Sequence, residues 1–197
     1  MNIFPSIPGW DGIHPALVHF PIALLLAVPL LLLVSLLSRK SWGAWAGAAW
    51  LVMALGAAAA WLAVGSGHAA GQLLDKSGDL ARAVARHEAL GLATRDLFSA
   101  LTLVLAVILL LPAMVRRPLP TPLRVTLHAL FLALYLGATT VLMNAANQGW
   151  RLVHERGVRS LVGKSVTAPA PPAEQPKPPG ERAGSCGRRR DRGPAAS

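Results

Sequence analysis

Ala16 to Leu37 is a run of 22 residues without an Asp, Glu, Lys or Arg. As a helix it is about 33 Å long, enough to cross the roughly 30 Å hydrocarbon core of a bilayer. A chain with such a run has few places to put it other than lipid. Two histidines and two prolines stand at its mouth, in Ile13-His14-Pro15-Ala16-Leu17-Val18-His19-Phe20-Pro21-Ile22-Ala23-Leu24. Pro15 suits a first helical turn, where its missing N–H costs nothing. Pro21 and Pro29 would be costly in a soluble helix but are tolerated in a membrane span. Trp10 fits the headgroup belt. The run is too long for the apolar part of a signal peptide, and no Lys or Arg precedes it, so it reads as a retained span.

Three more apolar stretches follow. Ser41 to Gly65 is rich in Gly and Ala, with Gly43-x-x-x-Gly47 and Gly56-Ala57-Ala58-Ala59-Ala60. Small residues let helices approach closely in lipid, which predicts a centrally packed span with Gly43 and Gly47 as packing residues; the alternative reading is a compositional habit of a GC-rich genome. The predicted spans cover about residues 15–37, 42–65, 88–115 and 125–147. Arg39 and Lys40 close the first, and Arg116 and Arg117 the third. Between the second and third, Leu80 and Val84 set against Asp79, Arg82 and Arg86 predict a short amphipathic helix at the interface. The expected fold is all-α: an integral membrane four-helix bundle over residues 1–164 with a disordered C-terminal tail at 165–197. That tail is rich in Pro and Arg, without periodicity or aromatic residues, and cannot bury enough apolar surface to order itself.

Composition agrees. Hydrophobic residues make up 53% of the 197 and charged residues 14%, which excludes an ordinary soluble domain. The net charge of +10 suggests nucleic acid until its placement is read. From Arg151 onward ten Lys/Arg face four acids, so most of the excess lies beside the membrane domain, where such a tail touches anionic lipid or nothing at all. No groove-reading motif accompanies the charge, and no nucleic-acid partner is expected. Cys186 is the single cysteine and forms no intrachain disulfide.

With four spans, the start of the first, the end of the second, the start of the third and the end of the fourth share one membrane face. That parity gathers His14, His19, His68, His87 and His154 on one rim, with Arg95, Asp96, Asn144, Asn147 and Gln148 nearby. Only His128 belongs to the other rim. Ionisable groups at this depth call for a functional hypothesis with a named partner. Asp96 pairs only loosely with its neighbour Arg95 on this reading, because adjacent side chains diverge on a helix; His19 or a polar group of the fourth span is preferred. Three readings follow: two histidines on different helices ligating haem b or another metal for electron transfer, a proton or quinone site, or interfacial residues with no ligand. For the first, His19 and His87 are the preferred pair and His68 the next candidate. His14 and His19, five residues apart, diverge by about 140° on a helix. Tyr135 reads as a packing residue.

Orientation is read from flanking charge. The first span has no Lys or Arg before it and two directly after it, which puts the N-terminus outside, in the periplasm of a bacterial inner membrane. The tally over all flanks runs the other way, seven against five. No P-loop, G-x-S-x-G or H-E-x-x-H occurs, and Gly65-Ser66-Gly67-His68 only superficially resembles a nucleophile with its base, so no catalytic residue is assigned.

His14-Pro15-Ala16-Leu17-Val18-His19-Phe20-Pro21-Ile22-Ala23-Leu24 resembles the opening motif of a bacterial four-span membrane family, the domain of unknown function 2231. Arg86-His87-Glu88-Ala89-Leu90 is similar to the start of its third span. Gly149-Trp150-Arg151-Leu152-Val153-His154-Glu155-Arg156-Gly157-Val158 resembles the segment after its last span, with two departures. His154 stands where a tyrosine is expected, and Arg156 where a histidine is expected. The resemblance covers about residues 13 to 163. It implies an inner-membrane protein, found in some cases with cytochrome-type modules, and so a membrane redox partner or cytochrome; it implies no activity. The alternative is a non-catalytic structural or partner subunit of a membrane complex.

Overall fold

The computed structural model describes residues 9–10, 12–38, 40–74 and 78–158. Arg39, Cys186 and the tail at 165–197 lie outside the described residues. Those described form α1 (His14–Leu17), α2 (His19–Leu37), α3 (Trp42–Gln72), α4 (Gly78–Met114) and α5 (Thr121–His154), with no strand among them. Four units are long and apolar enough to cross a membrane: His14–Leu37, which joins α1 to α2, and then α3, α4 and α5.

The hydrogen-bond ladder of the first span breaks at Val18, and Pro21 is the reason. Without an N–H, Pro21 cannot bond the carbonyl of Leu17, so one helical bond is missing there, while Val18 keeps helical dihedrals and α2 continues the path of α1. The amphipathic segment before the third span is not a separate helix. Leu80 and Val84 face inward as their spacing predicts, but within the first turns of a continuous α4. There Ala83, Val84 and Leu152 form a small second core with Leu74, Leu80 and Val158. Burying that face against the end of α5 gives α4 no reason to stop at the interface.

The helices run alternately up and down in a ring. α2 packs on α3 and α5, and α4 packs on α3 and α5. The diagonal pairs α2–α4 and α3–α5 have no Cα pair within 8 Å. Buried residues recur at three- and four-residue spacings, as bundle packing requires: Pro21, Leu25, Val28, Leu32 and Ser35 on α2, and Thr94, Phe98, Leu101 and Leu105 on α4. The α2–α3 contact is closest at Gly56, where an added Cβ would lie 2.7 Å from Leu25 Cδ2. Gly43 and Gly47, the glycines expected to pack, have nothing within 4 Å of the same position. The alanines and Gly56 take that role inside the bundle, because they fall on the buried stripe of α3 and the other two do not.

One hydrogen bond ties the centre together. Pro29 has no N–H for the carbonyl of Leu25, four residues earlier, and that carbonyl faces the core. Tyr135 supplies the missing donor from α5, with its hydroxyl 2.8 Å from Leu25 O. The ring is fully buried, edge-on to Phe98 at 5.2 Å and tilted against Phe131 at 6.1 Å. An orphaned carbonyl in an apolar interior costs about 1–3 kcal/mol, so the phenol stabilises the span that Pro29 interrupts. Tyr135→Phe is expected to lower unfolding stability in detergent by that amount. In a Pro29→Ala background, where a restored N–H at position 29 can bond Leu25 O, the same substitution should cost clearly less; equal costs in both backgrounds would refute the assignment.

Candidate functional site

The parity of the spans brings a group of polar side chains to one end of the bundle, and two of them meet on its axis. His14 comes from α1 and His87 from α4, which share no Cα pair within 8 Å. Their rings bridge the diagonal, with centroids 6.3 Å apart and planes at 73°. The other diagonal supplies the supports. Ser66 of α3 lies 3.1 Å from His14 Nδ1, and Ala145 O of α5 lies 3.1 Å from His87 Nδ1.

These contacts determine the tautomers. A carbonyl only accepts, so His87 Nδ1 carries a hydrogen and donates it to Ala145 O. With its single hydrogen on Ala63 O at 3.0 Å, Ser66 Oγ accepts from His14 Nδ1. Both neutral imidazoles therefore keep their lone pairs on Nε2. Both rings are half-buried.

Depth follows from helix length. Ser66 lies 24 residues along α3 from Trp42, and Ala145 lies 24 residues along α5 from Thr121, about 36 Å in each case. That exceeds the roughly 30 Å hydrocarbon core and falls within the 40–45 Å that includes headgroups, so with Trp42 and Thr121 at one edge of the core the pair stands at headgroup depth on the other side.

The other expected site residues lie apart from the pair. His19, the preferred partner of His87, is exposed, and His14 takes its place. The chain stays helical through Val18, so positions five apart diverge, and His14 turns inward and His19 outward beside Phe20. His68 is exposed, with Nδ1 2.8 Å from Glu88 Oε1 and Nε2 3.0 Å from Gln72 Nε2. His154 stacks on Trp150 at 5.0 Å. Asn144 and Asn147 face outward, and Asn144 Nδ2 donates to Thr140 O. Arg95 and Asp96 pair directly with each other at 2.7 Å, closer than expected for neighbours. The guanidinium lies 4.2 Å over the Trp61 ring, and this stacking folds the long arginine back to its neighbour. That pair sits on the α3–α4 flank, about 12 Å along α4 below His87. Ser66 and the backbones at Gly67, Ala145 and Gly149 belong to no motif that assigns them to a site from sequence.

At the opposite rim His128 is 3% exposed. Its Nδ1 donates to Arg124 O at 2.9 Å, its Nε2 meets no protein donor, and Trp42 stands edge-on at 5.8 Å with Arg124 stacked on the indole.

A family model described as a predicted membrane protein, DUF2231, matches residues 11–161. The chain belongs to that family. No curated protein and no solved structure matches it. The matched span contains every helix, His14 and His87. In this DUF2231 protein no group of three or more His, Cys, Asp or Glu suited to a metal converges among the described residues, and His14 and His87 meet as a pair of imidazoles. Ser66→Ala should cost about 1 kcal/mol of stability and release the His14 tautomer. Imidazole 15N shifts would report this as a loss of the Nδ1–H form at His14 with His87 unchanged; an unaltered His14 spectrum would contradict the role given to Ser66.

Proposed function

We propose that the His14–His87 pair binds a single d-block metal ion at headgroup depth through its two Nε2 lone pairs. The observation that carries this reading is the double Nδ1 tether. Metal-ligating histidines almost always donate the other ring N–H to a carbonyl, carboxylate or water, which fixes the tautomer and raises ligand basicity. Imidazole suits zinc, copper, iron and nickel. With both Nε2 atoms about 2.0–2.1 Å from one ion, ring centres 6.3 Å apart correspond to a nearly linear N–metal–N arrangement. The remaining positions around that line would be filled by water or by a ligand from outside, as in a tetragonal site rather than a tetrahedral one.

Haem b does not fit the same residues. A porphyrin held between two axial imidazoles would extend along the other diagonal, where the backbones of α3 and α5 press against the rings at Gly67 and Gly149. On the proposed reading the protein sits in a bacterial inner membrane with the histidine rim outside, as the charges flanking the first span favour. An ion that changes oxidation state there would serve electron transfer with a membrane redox partner such as a cytochrome.

Calorimetric titration of the detergent-purified protein with Zn2+ is expected to show one equivalent bound. His14→Ala and His87→Ala should each abolish it, and His19→Ala should bind as wild type. Wild-type affinity in the His14→Ala protein would end the proposal. A Soret band in the purified protein, lost in His87→Ala, would replace the ion with haem.

A second reading rests on the open surface at Gly43 and Gly47, which offers a helix of another membrane protein a close approach. It makes the chain a partner subunit. Gly47→Leu should then release a co-purifying membrane protein without lowering thermal stability, and retention of that protein would remove the reading.

A further inference from the structure

Each ring of the axial pair rests against a glycine. A Cβ built on Gly67 would lie 2.7 Å from His14 Cε1, 3.1 Å from Nδ1 and 3.2 Å from Nε2. A Cβ built on Gly149 would lie 3.0 Å from His87 Cε1 and 3.6 Å from both ring nitrogens. Non-bonded carbons settle at about 3.5–4.0 Å, so a methyl group at either position displaces the ring or the helix. This is not a general property of glycine here, since Gly43, Gly47 and Gly137 have nothing within 4 Å of the same point.

The two contacts also follow one plan. Gly67 adjoins Ser66, which anchors His14, and Gly149 lies one turn after Ala145, which anchors His87. Each helix of one diagonal thus holds a ring of the other at two points, a hydrogen bond to Nδ1 and bare backbone against the Cε1 edge. A hydrogen bond alone leaves an imidazole free to swing about it. The second contact removes that freedom. Gly67 and Gly149 also lie in their helix interiors, where each costs about 1 kcal/mol against alanine, so each is held there against its own helix propensity.

We propose that Gly67 and Gly149 are positioning residues of the two-imidazole site, whose missing side chains set where the Nε2 atoms converge and restrict the site to a single ion. This rests on the metal-binding reading and adds its selectivity. Lengthening either glycine pushes its ring along the diagonal, so the two Nε2 atoms no longer share one ion at bonding distance.

The test is a titration of full-length protein in detergent with Zn2+, and with Co2+, whose visible ligand-field bands report imidazole coordination. Gly67→Ala and Gly149→Ala are each expected to weaken Zn2+ binding by about ten- to hundredfold, the range for loss of a group that orients a ligand, and to alter the Co2+ spectrum. Gly137→Ala, on the open side of α5, should change neither. Wild-type Zn2+ affinity and Co2+ bands in both glycine variants would overturn the inference. Folding is separated by a cycle. The fall in melting temperature caused by Gly67→Ala should vanish in a His14→Ala background, and that of Gly149→Ala in a His87→Ala background; undiminished falls would also overturn it. Should the wild-type protein take up neither ion, the metal-binding reading fails, and the cycles alone then support or overturn the seating of the rings.

Discussion

A carbonyl that cannot reach water must find a donor inside the protein, and in this chain the most exacting case is Leu25. Pro29 removes its helical partner at the middle of the first span. The only tyrosine in the chain answers from α5, across an interior otherwise filled by Phe98, Phe131 and aliphatic side chains. This bond links the second and fifth helices where the bundle is most apolar and an unpaired oxygen would cost most. It fits one relative height of the two helices, because a phenol reaches only one carbonyl. The alignment of the two rims, including the axial histidines about 36 Å from the far end, is built from that register.

At the rim the same rule acts on side chains. Imidazoles at headgroup depth are costly unless their polar atoms are used, and each Nδ1 of the axial pair is paired with a helix of the opposite diagonal. The result is a site to which all four spanning units contribute: two rings on one diagonal, two anchors and two glycines on the other. His68 and His154, which project outward from the same rim, carry none of this convergence. The contrast between His14 and His19 is the sharpest, since they belong to one motif and little more than one turn of helix separates a half-buried ring of the pair from an exposed neighbour.

Much of this is legible in the sequence. Four apolar runs and their parity predict the bundle and place five histidines on one rim and His128 on the other. The divergence of His14 and His19 is also predictable, but divergence alone does not say which of them faces inward. A seven-residue count carries that signal: His14 falls in step with Pro21, Val28 and Ser35, and His87 with Thr94, Leu101 and the stripe below them. The ion pair of Arg95 and Asp96 escapes the spacing rule for neighbours, which ignores a long side chain laid over an aromatic ring. Gly43 and Gly47 match a packing motif yet lie off the buried stripe, while Gly56, in no motif, meets Leu25.

By itself the sequence determined the membrane address, the number of crossings and which residues share a rim, because these depend only on the length and order of apolar runs in a solvent that forbids unpaired backbone. Tertiary structure decided which histidine faces which, the tautomer each adopts and the two glycines that seat them. Those properties arise between different helices: His14 and its anchor Ser66 are 52 residues apart in the chain, and His87 and Ala145 are 58 apart. No local pattern records the rotation of one helix against another.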